Sequence, residues 1–125
     1  MAVLLDSVIL IDHFNGISAA TSYLRNVEPT AVLSVISRAE TLVGFGEDDE
    51  RDRATALLNR FPCLALNQTT ADVAAQLRRE HGWKLPNAFQ AAVAQEHDLQ
   101  FATRDTRDFD PATHRFVVVP YQLSA

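Results

Sequence analysis

Ala2-Val3-Leu4-Leu5-Asp6-Ser7-Val8-Ile9-Leu10-Ile11-Asp12 opens with a short apolar run that ends on an acid and passes directly into a second apolar stretch. A strand with one wet face would alternate polar and apolar residues, whereas a near-continuous apolar run suits a strand covered on both faces. Similar runs recur near 31–35, 62–66, 99–103 and 116–119, the last stopping at Pro120, which suits a strand end. Segments of helical period separate them. That alternation is the mark of βαβ units stacked on a parallel sheet, here of about five strands.

The intervening segments carry their own start and stop signals. Ala54, Leu57, Leu58 and Phe61 fall at i, i+3, i+4 and i+7 and predict one helix with a single buried stripe. Its leading Glu47-Asp48-Asp49-Glu50 suits a solvated helix N-terminus. Thr69-x-x-Asp72 has the form of a capping box for a helix ending near His81-Gly82. Pro86 fits the N1 position of a further helix, 87–97, whose Ala88, Phe89, Ala91, Ala92, Val93 and Ala94 predict a buried, central element.

With 125 residues the chain is read as one domain, 1–125, large enough to fold without staples. A single cysteine, Cys63, excludes an internal disulfide and any multi-cysteine zinc site, and in its apolar run it reads as a small buried hydrophobe. The N-terminal run lacks a basic flank and soon meets an acid, so neither a signal peptide nor a membrane anchor is expected, and the location expected is cytoplasmic. Net charge is −5, with ten arginines and only Lys84 as lysine, which argues against a broad footprint for duplex nucleic acid. His13, His81, His97 and His114 show no metal-ligand spacing, and no glycine-rich phosphate loop precedes a helix.

Four acids adjoin the apolar runs: Asp6, Glu40, Asp105 and Asp108. On a parallel sheet they would meet at the carboxyl rim, where ligands bind in open α/β folds. Carboxylates gathered there repel one another unless protonated or neutralised by a hard cation such as Mg²⁺ or Mn²⁺. Each also has a local explanation. Asp6-Ser7 suits an N-cap, Ser37-Arg38-Ala39-Glu40 has the form of a capping box, and aspartates in the polar loop 103–108 commonly make turns.

Taken in order, Leu4 to Asp12, Ser34 to Gly44 with Glu40, Lys84-Leu85-Pro86-Asn87-Ala88, and Ala102-Thr103-Arg104-Asp105-Thr106-Arg107-Asp108-Phe109 resemble a PIN domain. The group most resembled is the VapC toxins of toxin-antitoxin pairs. The resemblance implies a three-layer α/β/α sandwich and a ribonuclease using Mg²⁺ or Mn²⁺, hydrolysing RNA phosphodiesters with a metal-activated water. It places the acids on Asp6, Glu40 and Asp105 as catalytic and metal-binding, with Asn87 at the remaining metal position and Asp108 as an accessory ligand. Ser7 and Thr103 would orient the carboxylates, and Arg38, Arg104 and Arg107 would contact flanking phosphates. It also implies a homodimer, a cognate antitoxin protein as partner, and no membrane association.

Asn87 departs from the aspartate usual in that family. An amide oxygen can coordinate a hard cation but brings no charge and accepts no proton. It is open whether Asn87 is an engineered inactivation, a working natural variant, or the trace of a module that binds RNA or a protein without cutting. A phosphoacceptor domain would need an aspartate after the third strand and a lysine after the last, where Asn67 and Pro120 stand. A haloacid-dehalogenase-type phosphatase would need an aspartate at Val8. On this reading, Asn87→Asp tightens Mn²⁺ binding and raises RNA cleavage; unchanged affinity in titration calorimetry would refute it.

Overall fold

The computed structural model describes residues 2–46 and 48–123. Met1 and Glu47, the first residue of the acidic run, lie outside them. The strands are β1 (Val3–Leu5), β2 (Ala31–Ser34), β3 (Cys63–Leu64), β4 (Gln100–Ala102) and β5 (Val117–Val118), shorter than their apolar runs but at the expected places. They form one sheet in the order β3-β2-β1-β4-β5, with every pairing parallel. The helices are α1 (Ser7–Phe14), α2 (Ser18–Val27), α3 (Val35–Leu42), α4 (Asp48–Leu58), α5 (Gln68–His81) and α6 (Leu85–Glu96). A short 3₁₀ turn, Glu28–Thr30, leads into β2.

Alternate residues of the central strands feed opposite faces, as the two-residue strand period requires. Val3, Leu5, Leu33 and Ala102 pack with Ile9 and Leu10 of α1, Leu24 of α2 and Leu58 of α4. Leu4 and Phe101 point the other way, into a cluster with Ala91, Val93 and Ala94 of α6, Trp83, Phe109 and Val117. The sheet is therefore the middle of three layers. Ala74, Ala88 and Ala92 let α5 and α6 pack closely, and α6 is as buried as its composition predicts.

The order of strands makes a switch point. From β1 the chain steps outward to β2 and β3, then returns through α5 and α6 to lay β4 on the opposite side of β1. The connections leaving β1 and β4 consequently diverge, opening a crevice at the carboxyl ends of these two strands.

Three local expectations are corrected. Cys63 is exposed, because β3 is an edge strand paired only with β2. The cap of α5 is Asn67, not Thr69: its Oδ1 accepts from Thr70 N at 2.9 Å while Thr70 Oγ1 accepts from Asn67 N at 3.2 Å. Pro86 occupies the second helical position, since Lys84 is the N-cap of α6. Gly82 does end α5 in the left-handed region, with φ 73°. Asn67→Ala removes the Oδ1 acceptor of Thr70 N while leaving the backbone N–H of residue 67 on Thr70 Oγ1, and should lower stability by about 1 kcal/mol, measurable as an earlier midpoint in urea unfolding with unchanged slope.

Candidate active site

Asp6 and Thr103 are brought side by side by register. Leu5 pairs with Ala102 across β1 and β4, so the residues one step further on meet at the crevice. Asp6 N donates to Ala102 O at 2.9 Å, and Thr103 Oγ1 donates to Asp6 Oδ2 at 2.6 Å. The same hydroxyl accepts from Asp105 N at 3.0 Å. One buried threonine thus holds the carboxylate after β1 and the loop after β4. Ser7 Oγ lies 3.4 Å from Asp6 Oδ1 and 3.1 Å from Glu40 Oε1, with one proton to share between them.

The local capping explanations do not hold. Asp6 is the N-cap residue of α1, yet its side chain makes no capping bond because Thr103 engages it. α3 begins at Val35, two residues before Ser37, and its cap is Ser34, whose Oγ accepts from Ser37 N. Glu40 therefore sits in the second helical turn and reaches toward Ser7.

Asp6, Ser7, Glu40, Asn87, Arg104, Asp105 and Arg107 line one open cavity of about 510 Å³. Asp108 is not part of its wall; it accepts from Asn87 Nδ2 at 2.6 Å. Arg38, on α3, is half-buried and also absent from the wall. Arg104 reaches the cavity but is gripped by Asp12, with Nε to Oδ2 at 2.6 Å and Nη2 to Oδ1 at 2.9 Å. Tyr121 Oη donates to the same Asp12 oxygen at 2.7 Å. Arg107 is almost fully exposed, and its Nε is 4.0 Å from Asp105.

Burial pushes the Asp6 carboxyl up to about 6; the Thr103 hydrogen bond pulls against it, and the charges of Glu40 and then Asp105 push it further. Asp12 lies in the opposite situation. The hydrogen bonds from Arg104 hold its carboxyl below the usual range despite burial, so Arg104 does not neutralise the rim. The donor set, carboxylates and an amide oxygen with no thiol or imidazole, has the chemistry of a hard divalent cation site. Among the described residues, no group of three or more His, Cys, Asp or Glu side chains lies close enough together to hold a metal ion as it stands.

Residues 3–113 match the PIN domain family. The chain belongs to the PIN domain family. Ribonuclease VapC10 of Mycobacterium tuberculosis is 35% identical over 115 residues, covering 86% of this chain and 85% of that protein. Among solved structures, a toxin-antitoxin complex from Klebsiella pneumoniae superposes with TM-score 0.90 at 35% identity, over 98% of this chain and 100% of the other. FitAcB from Neisseria gonorrhoeae shares the fold at TM-score 0.78 and 24% identity, over 97% of this chain and 99% of that one.

In this PIN domain, two sets of residues beneath the rim escape a reading by sequence alone. Ser34 Oγ donates to Gln90 Oε1 at 2.7 Å, Gln90 Nε2 to Ser37 Oγ at 2.6 Å, and Ser37 Oγ to Leu5 O at 2.7 Å. All three side chains are buried, and together they fasten α3 and α6 to the end of β1. Gln90, a glutamine set between Ala88 and Ala91 in the buried stretch of α6, was the available signal. The Asp12–Arg104–Tyr121 cluster had none, because its members are separated by up to 109 residues.

Because folding raises the Asp6 pKa from 3.8 to about 6, the native state binds the proton more tightly than the unfolded chain. Stability from this group therefore falls as pH rises from about 4 to about 6 and is flat above. In EDTA, Asp6→Asn should stabilise the PIN domain relative to the parent by an increment growing across that window to on the order of 3 kcal/mol. Urea titrations at pH 4 to 8 check the slope.

Proposed function

We propose that this PIN domain is a metal-dependent endoribonuclease acting as the toxin of a VapBC-type toxin-antitoxin pair. The observation that carries the reading is Asp6: a buried carboxylate at the switch point, kept beside Glu40 and Asp105 with no arginine paired to it. Such an excess of negative charge is unfavourable for the metal-free protein and becomes favourable once a cation compensates it. The relative named Ribonuclease VapC10 and the likeness to a toxin-antitoxin complex support the biological assignment.

Asp6, Glu40 and Asp105 would hold Mg²⁺ or Mn²⁺, with Asn87 offering its amide oxygen. When bound there, the cation supplies an activated water and offsets charge on the attacked RNA phosphate. Thr103 keeps Asp6 and the Asp105 loop in place, and Ser7 does the same for Glu40. Arg107, exposed on the cavity wall and only loosely paired with Asp105, is the best placed arginine for a flanking phosphate. Arg104 would contribute through the guanidinium donors that Asp12 leaves free, and Arg38 from outside the cavity wall. The protein acts in the cytoplasm as a homodimer, neutralised by a cognate antitoxin; no described helix is long and apolar enough to cross a membrane.

A second reading, a PIN-like module that binds RNA or a protein partner without cutting it, is favoured by one observation. Asn87, an uncharged amide, stands on the cavity wall where the family resemblance implies a carboxylate, so the site carries one negative charge fewer for a cation. The two readings separate in an assay of labelled RNA with Mn²⁺, Mg²⁺ or EDTA. Cleavage dependent on the metal, reduced about 100-fold or more by Asp6→Ala, Glu40→Gln or Asp105→Asn, is expected. Retained RNA binding with no cleavage by the parent in either metal would establish the second reading instead.

A further inference from the structure

Asn87 and Asp108 face each other across the edge of the cavity, with Nδ2 to Oδ2 at 2.6 Å. An ionised carboxylate only accepts hydrogen bonds, so the end of the amide turned toward Asp108 is its nitrogen. The planar amide then has its carbonyl oxygen on the other side. Asn87 belongs to the wall shared with Asp6, Glu40 and Asp105, whereas Asp108 does not. The pairing thus selects which of two similarly shaped ends meets the acids, and it selects the oxygen, the end a hard cation can use.

We propose that Asp108 is a positioning residue that orients the Asn87 amide, and that the amide at 87 and the carboxylate at 108 are a matched pair. The inference rests on the nuclease reading only for the cation that Asn87 serves. Asp108 acts through its hydrogen bond and is not itself a ligand. An amide also suits position 87 for a reason internal to the chain. A carboxylate there would set two like-charged oxygens at hydrogen-bond distance with no proton between them.

Two measurements on the whole chain test the pair. In thermal unfolding in EDTA at pH 8, Asn87→Asp should melt about 5 °C below the parent. The double variant Asn87→Asp/Asp108→Asn should return to the parent value, because the amide at 108 now donates to the carboxylate at 87. In Mn²⁺ titration calorimetry, Asp108→Ala should weaken binding roughly tenfold with Asn87 untouched. Asp108→Asn, whose amide oxygen accepts the same bond, should stay within about threefold of the parent.

Equal loss in Asp108→Asn and Asp108→Ala would show that the charge at 108 matters and not the orientation of Asn87, and would overturn the proposal while leaving the metal reading intact. So would a double variant that melts as low as Asn87→Asp alone. Absence of Mn²⁺ binding by the parent would overturn both the metal reading and the role of Asp108 toward it.

Discussion

The hydrogen bond from Thr103 Oγ1 to Asp6 Oδ2 is the contact on which the rim depends. It exists because β1 and β4, the first strand and nearly the last, lie side by side in the register Leu5 to Ala102. A buried carboxylate with no partner is costly, and here a neutral hydroxyl supplies the partner without cancelling the charge. Asp6 is therefore held rigidly and remains electrostatically unsatisfied. The threonine also accepts from the Asp105 backbone, so two acids that belong to different ends of the chain share one anchor.

Beneath that anchor, polar contacts take over the work that apolar packing does elsewhere. Ser34, Ser37 and Gln90 form a fully paired buried network between β2, α3 and α6, ending on the Leu5 carbonyl next to Asp6. Satisfied hydrogen bonds constrain direction as apolar contacts do not, which suits the floor of a site whose side chains must keep fixed bearings. Thr41 Oγ1 donates back to Ser37 O at 2.7 Å, which satisfies this buried hydroxyl within α3 itself. To one side, Asp12 takes two donors of Arg104 and one of Tyr121. This ties the segment after β5 to α1 and engages Arg104, a half-buried cation of the cavity wall, away from the acids.

Much of the architecture was legible in the order of residues. Apolar runs longer than the strands they contain, Gly82 after α5 and the alanines of α6 each follow from a local physical preference. Errors arose where one preference competes with another. The run around Cys63 looked buried, but an edge strand has only one neighbour, so its cysteine faces solvent. Ser37 with Glu40 had the spacing of a capping box, but Ser34 lies one turn earlier and took the cap, leaving Ser37 for Gln90. Asp108 is a different case: its bond to Asn87 lies off the cavity wall, a placement that no local pattern encodes.

By itself, the sequence determined that parallel strands would be covered on both faces and that acids would follow them, because periodicity and strand-end chemistry are local properties. It also determined that one position of the set carries an amide. Only the tertiary structure decided which acids share a cavity, which arginine is already engaged and what the amide faces. Those outcomes depend on strand order and register between residues as much as 97 apart, and no local pattern encodes a distance across the sheet.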